Sequence, residues 1–192
     1  LQVRNQIEFP LTWFAVAELG AAVVPLNPKY TTRESEFVLE DAGATWLVAT
    51  ADLLETYGQV NSYGPVTRDR VITVSGQLVG DLAFETLAQT DITPLAAYPN
   101  QDDIANIQFT SGTTGVPKGT MAMHINALGC AQNVVIAAKG LDESDVNLCM
   151  PPLYHNTAVY ADFLPALLSG GKCVIMAAFA PLDAIKLIEA ER

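Results

Sequence analysis

Apolar residues recur along the chain in two alternating rhythms: a helical spacing of three to four residues, and short β-branched runs that suit buried strands. Phe9, Trp13, Val16, Ala17 and Gly20 fall on one helical face, and the run A-V-V-P-L at 22–26 follows as a strand. T-T-R-E at 31–34 has the form of a capping box, so a second helix is predicted from residue 31. Val38, Leu39 and Ala42 form its apolar stripe and Gly43 stops it. W-L-V-A at 46–49 reads as the next strand.

The alternation continues with a helix over 52–60, a strand over 71–74 and a short helix over 82–88. Pro94, Pro99 and Asn100 mark a loop that leads into I-A-N-I-Q-F at 104–109, a strand running directly into a glycine-rich segment. A further strand is predicted from residue 120 to Met123, then a helix marked by Ala127, Ala131, Val134, Val135 and Ala138. Strand 146–150, helix 159–168, strand 172–176 and helix 182–191 complete the series. Such alternation predicts an α/β fold, with alternating strands and helices forming mostly parallel sheet layers covered by helices. There is no repeat and no low-complexity linker, so no internal domain boundary is expected.

Composition narrows the function classes. The 192 residues are half hydrophobic, enough to bury a core, which excludes disorder. Ten Lys plus Arg stand against 21 Asp plus Glu, a net charge of −11, which opposes binding to DNA or RNA. Cys130, Cys149 and Cys173 are odd in number and lack C-x-x-C spacing, so neither a disulfide framework nor a zinc knuckle is expected, and reduced thiols in a cytoplasmic protein fit. The apolar stretch 14–24 contains Glu18 and is shorter than the roughly 20 residues that span a bilayer. No leader pattern opens the chain, residue 1 is Leu rather than Met, and the last helix runs to Arg192; an internal fragment is expected.

The candidate chemistry lies in T-S-G-T-T-G-V-P-K-G at 110–119. Three threonines, one serine, three glycines and one lysine occupy ten residues. Glycines let backbone N–H groups approach an anion, hydroxyls donate to phosphate oxygens, and lysine supplies a compact positive charge. A polyphosphate suits this set. The Walker A pattern does not match, because Lys118 follows Pro117, and G-x-G-x-x-G is absent because Thr113 and Thr114 separate Gly112 from Gly115.

I-Q-F-T-S-G-T-T-G-V-P-K at 107–118 resembles, at every position, the AMP-binding signature of the adenylate-forming superfamily: acyl-CoA synthetases, aryl-CoA ligases, firefly-type luciferases and peptide-synthetase adenylation domains. The likeness extends back to residues 9–28, and P-P-L-Y-H-N at 151–156 is similar to the family's P-L-x-H segment. Acyl-CoA synthetases are the most similar members. One departure is G-T-M-A-M-H at 119–124, where relatives commonly carry G-V-M-L-S-H.

The resemblance implies an ATP-dependent acid-thiol ligase that uses Mg²⁺ and coenzyme A and forms acyl-AMP before the thioester. It assigns Thr110, Ser111, Gly112, Thr113, Thr114, Gly115 and Lys118 to the β- and γ-phosphates, leaving open which hydroxyl approaches the metal. It places His155 beside the activated carboxylate as the candidate catalytic residue, with a role in gating between the ATP and acyl sites. His124 is expected to cap the helix after its strand, and Asp102 and Asp103 to form a solvated turn or a helix cap rather than an acid/base pair. The family's downstream Y-G-x-T-E segment, ribose-binding aspartate and C-terminal small domain do not occur, so residues 1–192 are expected to be part of the large N-terminal domain and inactive alone. A non-catalytic nucleotide-binding module is the alternative, as is a luciferase-type or peptide-synthetase relative. The identity of the acid and the oligomeric state are left open.

Overall fold

The computed structural model describes residues 1–57, 62–89, 95, 97–110 and 116–191. Helix α1 (Glu8–Glu18) comes first and buries Phe9 and Trp13, whose rings stack 6.0 Å apart. Helix α2 (Thr32–Asp41) starts as the sequence predicts. The Thr31 N–H donates to Glu34 Oε2 at 2.8 Å, and the Glu34 N–H donates to Thr31 Oγ1 at 3.4 Å. Val38 and Leu39 are its buried stripe, and Gly43 follows with φ +62°, the left-handed conformation that ends helices.

Strand β1 (Leu47–Thr50) pairs in parallel with β4 (Val71–Val74), and β4 with β5 (Leu82–Ala83). Between them lie helix α3 (Ala51–Glu55) and a small antiparallel hairpin of β2 (Ser62–Tyr63) and β3 (Val66–Thr67). The predicted helix over 52–60 is therefore shorter, with residues 58–60 outside the described residues. The segment 82–88 splits into β5 and helix α4 (Phe84–Leu87).

Strand β6 (Ile104–Thr110) and strand β7 (Lys118–Met123) form an antiparallel ladder, within a fold expected to be mostly parallel. Parallel pairing needs a crossover of a dozen or more residues, and the seven residues between these strands cannot supply it. β7 is exposed along most of its length, Met121 by 65% and Met123 by 43%, and its outer edge has no ladder partner among the described residues.

The run 22–26 is not a regular strand. Val23 makes one parallel bridge to Asn106, donating its N–H to Ala105 O at 2.9 Å and accepting from the Ile107 N–H at 2.9 Å. Pro25 has no N–H to continue a ladder. On its other side the run meets residue 1, through Leu26 N–H to Leu1 O, and Gln2 bridges in parallel to Ala49. Hydrogen bonds thus pass from β7 through β6, residues 22–26 and residues 1–2 to β1, β4 and β5.

This run of strands separates two apolar cores. Leu47 and Ala49 of β1 face one, with Leu26, Val38, Leu39, Tyr63, Val66 and Phe109; Val48 faces the other, with Phe9, Trp13, Val74, Leu153 and Val159. Burial on both faces explains the continuous apolar reading of 47–49.

Helix α5 (His124–Ala137) follows β7 and buries only Ala131 among its residues. Strands β8 (Val146–Cys149) and β9 (Lys172–Ile175) pair in parallel. A π-helical segment (Ala158–Phe163) and helix α6 (Leu164–Leu168) connect them, and helix α7 (Pro181–Ala190) follows. Cys149 and Cys173, distant in the chain, lie on these neighbouring strands; both are free, and Cys130 is free and exposed. The hydrogen bond that the Cys149 thiol donates to Cys173, together with burial, pushes the Cys149 thiol up. Among the described residues no helix is long and apolar enough to cross a membrane.

Candidate functional site

Thr110 ends β6 and Lys118 begins β7, and the two are direct partners across the ladder. Directly opposed residues of an antiparallel pair project to the same face. Thr110 and Lys118 therefore stand side by side at the mouth of the loop, both exposed. Lys118 is exposed and is in none of the ion pairs among the described residues. Residues Ser111, Gly112, Thr113, Thr114 and Gly115 lie outside the described residues.

The mouth is held from the opposite face. Gly119 is the cross-strand partner of Phe109, and a Cβ added there would lie 2.9 Å from Ile107 Cγ2 and 3.2 Å from Phe109 Cζ. Only glycine lets these two side chains lie against β7 at this point. The buried Ile107 and Phe109 face thereby anchors the strand that presents Lys118.

Period-two alternation puts Asn106, Gln108 and Thr110 together on the other face of β6. Asn106 is fully buried, and both ends of its carboxamide are used. Its Nδ2 donates to Asn156 Oδ1 at 3.2 Å, and its Oδ1 accepts from the Tyr160 hydroxyl. Gln108, 8% exposed, has Oε1 buried with no partner among the described residues, as does His124 at Nε2.

The segment containing His155 is fixed from two sides. Asn5 Nδ2 donates to Pro151 O at 3.0 Å and Met176 O at 3.1 Å, while its Oδ1 accepts from the Leu153 N–H at 2.8 Å. From below, Asn106 holds Asn156 and Tyr160. His155 itself is exposed. Its Nδ1 accepts from the Thr157 N–H at 3.3 Å and lies 3.1 Å from Thr157 Oγ1. Acceptance at Nδ1 from the Thr157 N–H makes Nε2 the nitrogen that carries the proton in the neutral tautomer.

Thr110, Lys118 and the His155 turn are thus brought onto one strand face, with Asn106 and Thr110 about 13 Å apart along β6. Asn5, Asn106, Asn156 and Tyr160 were not among the predicted site residues. The signal for Asn106 was its place in I-A-N-I-Q-F, where Asn and Gln alternate with apolar residues and mark a polar strand face. His124 is the first residue of α5 rather than its cap; Met123 takes the cap position, and its N–H donates to Asn126 Oδ1 at 3.0 Å. Asp103 does form a turn, accepting from the Asn100 N–H at 2.6 Å.

Two of these groups suit a polyanion: the Lys118 ammonium, in no ion pair among the described residues, and the exposed Thr110 hydroxyl stand on one face. No cluster of three His, Cys, Asp or Glu able to hold a metal occurs among the described residues.

The chain is matched over residues 1–192 by the family described as AMP-binding enzyme. It is 33% identical over 180 residues to 4-coumarate-CoA ligase 3 of Oryza sativa subsp. japonica, which takes in 92% of this chain and 32% of that protein. Feruloyl-CoA synthase of an Amycolatopsis species is 32% identical over 181 residues, 94% of this chain and 34% of that one. The crystal structure of a long-chain-fatty-acid-CoA ligase from Archaeoglobus fulgidus superposes with a TM-score of 0.84 at 28% identity, covering 98% of this chain and 37% of that chain. The chain spans about a third of the length of these relatives. A signature segment at the mouth of the β6–β7 hairpin and a match over the whole sequence lead to one conclusion: the chain belongs to the AMP-binding enzyme family.

Proposed function

We propose that the protein containing this chain activates a carboxylic acid with ATP and transfers the acyl group to the thiol of coenzyme A. The observation that carries the reading is the pairing of Thr110 with Lys118 at the loop mouth, on the strand face that also holds the His155 turn. In the first half-reaction a carboxylate oxygen attacks the α-phosphorus of ATP, and the bond to the bridging oxygen breaks as pyrophosphate leaves. The acid is already ionised near neutral pH, so the enzyme needs no base for this step.

Negative charge grows on the departing pyrophosphate. Lys118 and Thr110, with Ser111, Gly112, Thr113, Thr114 and Gly115 of the same segment, hold the β- and γ-phosphates and stabilise that charge. Magnesium, when bound, neutralises further phosphate charge. His155 presents its Nε2–H toward the activated carboxylate and orients it. In the second half-reaction the thiol sulfur, having lost its proton to solvent, attacks the acyl carbon, and AMP leaves with the bonding pair.

Residues 1–192 are, on this reading, part of the large N-terminal domain, and the remaining machinery is supplied by the rest of the protein. Acid-dependent exchange of pyrophosphate into ATP by the full-length protein tests the reading, with 4-coumarate, ferulate and long-chain fatty acids as the first panel and coenzyme A consumption as the second readout. Exchange with one of these acids and acid-dependent loss of free thiol are expected. ATP binding by calorimetry with no exchange for any acid overturns it in favour of a non-catalytic nucleotide-binding module. Exchange with thioester formation only on a carrier protein moves it to the peptide-synthetase relatives.

A further inference from the structure

Asn106 is a polar side chain in a strand whose neighbours Ala105 and Ile107 are apolar, and it is completely buried. Burying a carboxamide costs stability unless its hydrogen bonds are restored, and an apolar residue would fill the space without that cost. Both of its bonds go to the segment after His155: Nδ2 to Asn156, the next residue, and Oδ1 from Tyr160 in the π-helical segment. Such segments interrupt regular helices and often mark functional sites. Asn156 in turn lies between His155 and Thr157, whose N–H fixes the imidazole through Nδ1.

We infer that Asn106, acting through Asn156 and Tyr160, is a positioning residue that sets the His155 imidazole relative to the Thr110–Lys118 mouth on the same strand. The inference rests on the acid-activating reading given above. One rigid strand then carries both ends of the reaction: the phosphate grip at Thr110, and the support of the carboxylate-side histidine four residues earlier. Burial pushes the Tyr160 hydroxyl up to about 12, so it stays a proton donor to Asn106 throughout the working pH range.

The test uses the full-length protein and acid-dependent pyrophosphate exchange at saturating ATP and acid. Tyr160→Phe removes one hydrogen bond and keeps the ring, so the fold survives even if Asn106→Ala does not. The expected result is a kcat lowered about 10- to 100-fold in Tyr160→Phe, in Asn106→Ala and in His155→Ala, since misplacing a reacting group by about 1 Å costs up to about 100-fold. KM for ATP stays at the wild-type value, because the Thr110–Lys118 pairing is untouched. Combining Tyr160→Phe with His155→Ala adds no further loss, since a residue acting through His155 has nothing left to position.

A Tyr160→Phe protein with lowered melting temperature and wild-type kcat overturns the inference, as its role is then only in stability. Losses that multiply in the double variant overturn it too, as does a His155→Ala protein with unchanged kcat. In each of those results the wild type still exchanges, so the acid-activating reading stands. A wild type without exchange for any acid removes both.

Discussion

Gly119 lies directly across the β6–β7 ladder from Phe109, and the ring of Phe109 occupies the space a side chain at residue 119 would need. The contact is on the face opposite Thr110 and Lys118, so packing on one side of the hairpin sets the position of the lysine on the other. Gly119→Ala is expected to destabilise by about 1–3 kcal/mol, because the added methyl would stand 2.9 Å from Ile107 Cγ2. Denaturant midpoints of the full-length protein measure this. Combined with Ile107→Ala, the loss should be smaller than the sum of the two; strict additivity would show that the contact does not govern packing here.

Lys118→Ala should lower the exchange kcat by about 100-fold while the melting temperature stays near wild type, because its side chain is exposed and in no ion pair among the described residues. Unchanged turnover at saturating ATP would remove Lys118 from the transition state.

Asn5→Ala strips the Leu153 N–H and the carbonyls of Pro151 and Met176 of their partner at once. A loss of about 2 kcal/mol is expected. Faster amide exchange at Leu153 than at β1 would locate the damage in the His155 segment. Equal acceleration everywhere would mean that Asn5 supports the whole fold rather than this turn.

Thr31→Ala opens the capping box of α2 and should cost about 1 kcal/mol. The backbone N–H of Thr31, and then its hydroxyl, hold the Glu34 carboxyl below the usual glutamate range. A depressed folded value means that the contribution is complete above the unfolded value and fades as pH falls through the folded one. The N–H of residue 31 remains in Thr31→Ala, so only the bond from the Thr31 hydroxyl to Glu34 Oε2 distinguishes the two carboxylates, and the difference between the proteins should narrow in acid by that part. A difference that grows on acidification would contradict the carboxylate's part in the cap.

The box at Thr31 and Glu34 was legible in sequence because capping is a local exchange between residues three apart. The strand at 104–109 and the helix at 8–18 were legible because each shows its period over several residues. The hairpin β2–β3 was not, since strands of two residues have no period to read. The run 22–26 reads as a strand, but Pro25 limits Val23 to a single bridge, with Asn106. The antiparallel turn of β6 and β7 was available from counting, because the connection is too short for a crossover.

For the proposed site, the loop, Lys118 and His155 were candidates in the sequence because they stand out by composition and by likeness. Asn5, Asn106 and Tyr160 were not, since their partners lie 146, 50 and 54 residues away and can be paired only once the chain is folded.

The outer edge of β7, without a ladder partner among the described residues and with Met121 and Met123 open to solvent, bears on how the polypeptide behaves in a tube. Unpaired backbone groups beside apolar side chains form a template on which a second copy can add strand to strand. The net charge of −11 keeps copies apart by repulsion when ionic strength is low. Salt shortens the reach of that repulsion from about 30 Å at 0.01 M to about 8 Å at 0.15 M. Concentrated stocks of the 192-residue polypeptide should thus stay clear in dilute buffer and turn cloudy as salt is added, the reverse of ordinary salting-in.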